Sequence, residues 1–151
     1  MNETRADGKL EAIWVKRFKR GPMDEQPSVQ VHAGRGIDGN ANQGGKRQVT
    51  IVSREAWETI SRDLGASVDP RSRRANFLVS GIDLRDSRGR LLRVGDVRLR
   101  IHGETRPCER MDEAHGGLRE ALGSEWRGGA FGEVLDDGTI SVGDVVTWLA
   151  D

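Results

Sequence analysis

Along Val97-Arg98-Leu99-Arg100-Ile101-His102, apolar and basic side chains alternate without a break. A period of two is the repeat of extended chain, so this run predicts a strand with one face in a core and the other in water; a helix would scatter the same residues around its circumference. Shorter runs of strand character recur at residues 10–15, at Val29 and Val31, and at residues 47–52, 76–80, 140–142 and 145–149, with residues 81–84 read as continuing the fourth of these. Turn residues separate them: Gly34, Gly36, Gly39, Gly44 and Gly45 predict one long polar loop, and Val94-Gly95-Asp96-Val97 and Val142-Gly143-Asp144-Val145 each place a Gly-Asp turn between strands. So many short strands leave edges that invite aggregation unless the sheet closes on itself. The predicted fold is therefore mainly β, a β-rich α+β domain curled into a barrel.

Helical spacing appears in two places. Ser53 suits an N-cap, Glu55 falls in the first turn, and Ala56, Trp57, Ile60 and Leu64 line one face until Gly65 stops the helix. Leu118, Ala121 and Leu122, ended by Gly123, predict a second, shorter helix, followed by a glycine-dense connection from Trp126 to Gly132. At 151 residues the chain has length for one core. Residues 1–9 read as a flexible terminus and residues 10–151 as a single domain.

Charge restricts the partners. Lys plus Arg and Asp plus Glu are both 24, so the overall basic field that would hold nucleic acid or an anionic membrane is absent. The distribution is uneven: residues 1–108 carry 21 basic and 14 acidic groups against 3 and 10 in residues 109–151, which favours anions over the first part. A single cysteine can form no internal disulfide, and neither a long apolar run nor a signal-peptide core is visible, which points to a reducing, cytoplasmic setting.

That cysteine sits in the densest chemical constellation, Gly103-Glu104-Thr105-Arg106-Pro107-Cys108-Glu109-Arg110, on a predicted loop after the alternating strand. Flanking guanidinium groups favour thiolate over thiol, and thiolate attacks electrophiles, accepts sulfur or ligates a soft metal; Glu109 opposes part of that shift. Other chemistries lack their signatures. His32, His102 and His115 are dispersed, no Gly-x-Ser-x-Gly elbow occurs, and the glycines at 34, 36 and 39 do not join a strand to a helix as a phosphate or dinucleotide loop requires.

Five segments taken in order resemble the MOSC domain family, named for the C-terminal part of molybdenum cofactor sulfurase. They are Gly36-Ile37-Asp38-Gly39 with Arg47-Gln48-Val49; Arg74-Ala75-Asn76-Phe77-Leu78-Val79 with Gly81-Ile82; Arg106-Pro107-Cys108; Gly117-Leu118-Arg119 with Gly128-Gly129; and Ile140-Ser141-Val142-Gly143-Asp144-Val145-Val146. One departure stands out: many relatives carry Gly-Asp-x-His after the glycine loop, where this chain has Gly39-Asn40-Ala41-Asn42.

The resemblance implies a barrel that binds molybdenum cofactor, a pterin dithiolene bearing molybdenum and a phosphate. Cys108 becomes the expected catalytic residue and molybdenum ligand. Arg74, Asn76, Thr105, Arg71 and Arg47 are expected around the cofactor, arginines for its phosphate and Asn76 for the pterin edge. Similar family members reduce N-hydroxylated compounds, so the expected activity is an oxidoreductase acting on such small molecules with electrons from a flavoprotein. The alternatives are a sulfur carrier using a Cys108 persulfide received from a persulfide donor, and a noncatalytic binding module.

Overall fold

The computed structural model describes residues 7–105, 116–117 and 126–150. Along them run β1 (Gly8–Lys16), β2 (Met23–Gln26), β3 (Ser28–His32), β4 (Gly36–Ile37), β5 (Val49–Ser53), α1 (Arg54–Leu64), a 3-10 turn (Pro70–Arg73), β6 (Phe77–Ser80), β7 (Leu91–Val94), β8 (Val97–Glu104), β9 (Ala130–Val134), β10 (Gly138–Ser141) and β11 (Val145–Trp148). Strands pair in the order β11-β7-β8-β9-β5-β6-β1, and β1 returns to β11, closing a barrel of seven strands. β2 joins the far half of β1, from Ile13 to Lys16, while β11 covers Gly8 and Lys9. A separate sheet runs β10-β3-β4. The predicted β-rich barrel is the observed fold.

The alternating run behaves as its period demands. In β8, Val97, Leu99 and Ile101 are buried, Arg98 is exposed, and Arg100 and His102 are half-buried. These apolar residues join Phe77, Leu92, Val94, Val134, Ile140 and Val146 in the barrel interior. At about 1.5–3 kcal/mol for each fully buried large apolar side chain, this interior is the main source of the fold's stability. No helix among the described residues is long and apolar enough to cross a membrane.

A second core lies outside the wall. All barrel neighbours are antiparallel except β5 and β6, whose parallel pairing needs a crossover, and α1 supplies it. Ser53 accepts a hydrogen bond from the amide of Ala56, and Gly65 closes the helix in left-handed conformation. Trp57 and Ile60 are buried against Ala12, Trp14, Val52 and Leu78 on the outer wall. β1 serves both cores because Glu11 is an extra residue, unmatched where the register with β6 shifts between Leu10 and Ala12. The shift turns Leu10 and Ile13 inward and Ala12 and Trp14 outward.

Three regions differ from the sequence expectation. The strand expected to continue through residues 81–84 stops at Ser80, where Gly81 takes a positive φ of 74°. Met23–Gln26 forms a strand whose polar composition gave no hydropathy signal. Part of the expected glycine-dense connection is β9, which pairs with both β5 and β8. Its inward positions are Ala130, Gly132 and Val134, and neighbouring backbone presses close at the middle one: a Cβ on Gly132 would lie 2.2 Å from the carbonyl oxygen of Arg100. Gly132→Ala must push β8 and β9 apart at that point, at an expected cost of about 1–3 kcal/mol. A lower urea midpoint at unchanged m-value would register it.

Beyond β9, Asp136 ties the turn back to β8. It accepts two guanidinium bonds and the backbone amide of Arg98, each at 2.9 Å. The Arg98 side-chain hydrogen bonds hold its carboxyl below the usual aspartate range.

Candidate functional site

The site is built on the outer surface of the barrel, where three separate segments meet. Because Val49 and Ile51 face the interior, Thr50 between them faces out. Just before β5, the guanidinium of Arg47 lies over the ring of Phe131 on β9, 5.6 Å from its centroid.

The second segment is the basic run before β6. Asp69 caps the 3-10 turn by accepting from the amide of Arg71, and Pro70 opens it. Arg74 ends the turn at φ 64°, a left-handed conformation that costs an ordinary residue about 1–2 kcal/mol. This geometry separates three neighbouring arginines. Arg71 reaches outward to Glu25 at 3.0 Å. Arg73 turns inward and is 8% exposed. Arg74 stands half-buried between them and donates to the carbonyl of Gly21.

Third come the two ends of the segment that contains Cys108. Thr105 and Gly129 are joined by the Thr105 amide donating to the Gly129 carbonyl at 3.0 Å. The Thr105 hydroxyl donates to the Gly128 carbonyl at 2.6 Å. Arg73 bonds both ends, Nε donating to the Gly128 carbonyl at 2.8 Å and Nη2 to the Thr105 carbonyl at 3.3 Å. Arg47, Thr50, Arg73, Arg74, Ala75, Thr105 and Gly128 line a cleft of about 20 Å³.

Behind it, Asn76 is 5% exposed and both atoms of its amide are bonded within the protein. Its Oδ1 accepts from the amide of Thr50 at 3.0 Å and the hydroxyl of Thr50 at 3.3 Å. Its Nδ2 donates to the carbonyl of Trp14 at 3.1 Å and to Oδ1 of Asn40 at 3.2 Å. Asn40 Oδ1 also accepts from the amide of Lys16 at 2.9 Å, so one amide pair fastens the glycine loop to β1, β5 and β6.

Of the residues singled out in the sequence, Arg47, Arg74 and Thr105 converge on this cleft. Asn76 stands in the wall behind it, and Arg71 belongs to an ion pair on the outer surface. Cys108 lies outside the described residues, as do Arg106, Pro107, His115 and the expected helix at Leu118, Ala121 and Leu122. Arg73 and Thr50 are residues of the cleft that sequence reasoning did not single out, while Asn40 stood out there only as a departure from the family's Gly-Asp-x-His. Nothing in a run of Arg71-Ser72-Arg73-Arg74 marks which guanidinium is buried, because a 3-10 turn and its left-handed cap decide it.

Two wider grooves, of about 480 and 410 Å³, share Gly81, Ile82, Asp83 and Arg85 on the flank of the barrel. Neither is lined by a residue of the cleft. Among the described residues no three His, Cys, Asp or Glu side chains converge as a metal cage.

The family model described as MOSC domain matches residues 30–147. Solved structures share the architecture. The YuaD protein from Bacillus subtilis superposes with a TM-score of 0.78 at 22% identity, covering 95% of this chain and 96% of that one. YiiM from Geobacillus stearothermophilus gives 0.77 at 16% identity, covering 95% and 75%. YiiM from Escherichia coli gives 0.71 at 13%, covering 95% and 70%. At these identities the likeness is one of fold. A comparison with curated proteins gives no match.

Proposed function

Since this chain belongs to the MOSC domain family, we propose that it binds molybdenum cofactor and acts as an oxidoreductase on N-hydroxylated or related small molecules, with Cys108 as the protein's ligand to the metal. The observation that carries the reading is the cleft in which Arg47 and Arg74 stand beside Thr105, three residues before Cys108. Three residues of fully extended chain span at most about 11 Å, which bounds how far along the chain Cys108 stands from Thr105. The donor chemistry fits the cofactor. Two guanidinium groups suit a phosphate, whose oxygens accept planar pairs of hydrogen bonds, and a thiolate suits a soft metal.

In this reading Arg47 and Arg74 hold the phosphate, Thr105 shapes the cleft wall, and Asn76 supports the strand ends from behind. Cys108 supplies the thiolate, kept ionised by the positive charge around it. When bound, the molybdenum centre supplies the oxygen-atom and electron-transfer chemistry, while the chain's own part is ligation, charge and orientation. Electrons would come from a flavoprotein partner. Protein purified from a host that makes the cofactor is expected to carry molybdenum in about one-to-one ratio and to release a fluorescent oxidised pterin. Protein free of both would overturn the reading.

The size of the cleft favours a second reading. At about 20 Å³ it is far below the several hundred Å³ usual for cofactor pockets. A persulfide carried on Cys108 needs no such volume. That alternative predicts a mass gain of one sulfur atom on Cys108 after incubation with a persulfide donor, in protein that holds no molybdenum.

A further inference from the structure

We infer that the turn between β1 and β2 is a docking finger for an anionic phospholipid surface, with Phe18 entering the bilayer interface and Lys19 and Arg20 meeting the headgroup phosphates. The inference depends on neither Cys108 nor the cofactor.

The run Lys16-Arg17-Phe18-Lys19-Arg20 sets one aromatic ring among four basic residues. Phe18 is 61% exposed, more than any other large apolar side chain among the described residues. The backbone holds it there. The Gly21 amide donates to the Phe18 carbonyl at 2.9 Å, closing the turn, and Arg20 takes the left-handed conformation at φ 64°. A Cβ on Gly21 would lie 2.8 Å from a carbon of the Phe18 ring, so the ring rests on bare backbone. Arg74 donates to the Gly21 carbonyl and ties the turn to the barrel. With the tip preset in this way, docking has less conformational freedom to remove.

The carboxylates on β2 leave the charge at the tip standing. Asp24 pairs with Arg17 at 3.3 Å and Glu25 with Arg71 at 3.0 Å, whereas Lys19 and Arg20, both exposed, form no ion pair among the described residues. The chain's overall neutrality does not oppose attraction to a membrane, because charges more than about 8–10 Å away are largely screened near physiological salt.

A single apolar anchor on a turn favours a bilayer over a protein partner. A stable protein interface covers about 800 Å² on each side and centres on a cluster of buried anchors. The other exposed large apolar residues among those described, Val142 and Val145, lie toward the opposite end of β1, where Val145 pairs with Lys9. A bilayer needs no shaped counterpart: an aromatic ring settles at headgroup level while neighbouring cations reach the phosphates.

The full chain, without added metal, is sedimented with vesicles of phosphatidylcholine alone and with vesicles of equal parts phosphatidylglycerol and phosphatidylcholine. Wild type is expected to partition onto the anionic vesicles at low salt, to leave them at high salt, and to ignore the neutral ones. Phe18→Ser should lower the partition coefficient about tenfold, and Lys19→Gln with Arg20→Asn should do the same, asparagine being tolerant of the left-handed position. Phe18→Trp should bind within a factor of about three of wild type, since tryptophan also suits the interface. Thermal melts confirm folding, and because ring and charge are removed in separate variants, either one tests the finger if the other does not fold. No sedimentation with anionic vesicles would overturn the inference, as would equal sedimentation with both kinds, or a folded Phe18→Ser that partitions like wild type. The measurement contains no molybdenum and reads no activity, so its failure is separate from that of the proposed function.

Discussion

Cys108→Ser, produced in a host that makes molybdenum cofactor, is expected to lose at least about nine-tenths of the molybdenum that wild type holds, while unfolding at nearly the wild-type temperature. Sulfur and oxygen differ little in size, so the change tests chemistry more than packing. A serine hydroxyl stays protonated near neutral pH, and its oxygen is a harder donor than a thiolate; a soft metal held by one protein atom is therefore released. The fluorescence of oxidised pterin should fall in parallel, because under the proposed function the arginines of the cleft would hold only the phosphate end. Were the metal lost but the pterin kept, Arg47 and Arg74 would carry most of the affinity. Equal metal in variant and wild type would remove Cys108 from the ligand role and leave sulfur carriage as the reading to pursue.

The residues that could be assigned in advance are those whose environment is set by local pattern. β8 was legible because three inward and three outward residues alternate, and α1 because Ser53 and Gly65 mark its ends with cap chemistry. β9 was not, since close backbone from β8 requires Gly132 in the middle of its inward face, and a glycine there breaks the hydropathy pattern. The bulge at Glu11 was equally hidden, because one extra residue leaves an apolar stretch looking like any other strand. The site divides the same way. Arg47, Arg74 and Thr105 are expectations that follow from the resemblance to a family, and they line one cleft. Arg73 depends on a turn geometry, and the network of Asn76 depends on partners 26, 36 and 62 residues away, which no local reading can assemble.

That network carries the largest expected effect on stability. Asn76→Ala leaves the Thr50 amide without its acceptor and takes a donor from the Trp14 carbonyl and from Asn40, where Asn76, Asn40 and Trp14 are all buried. At about 1 kcal/mol or more for each buried polar group left short of a partner, the expected loss is about 3 kcal/mol, or roughly 6–12 °C in melting temperature. Asn76→Asp should be nearly as damaging: it keeps the acceptor for Thr50 but turns a carboxylate oxygen toward two other oxygens. Asn40→Asp makes the opposite prediction. The Asn40 atom in use is Oδ1, accepting from Lys16 and Asn76, and a carboxylate offers the same acceptor. It should therefore unfold within about 1 kcal/mol of wild type. The Asp that many relatives carry after the glycine loop and the Asn found here can then serve one structural purpose, as acceptors that pin this loop to the strand ends beneath the cleft. Thermal melts of the three variants test this directly. If Asn76→Ala melts like wild type, the amide pair does not hold the loop, and the exchange of Asp for Asn must be explained by chemistry at the cleft instead.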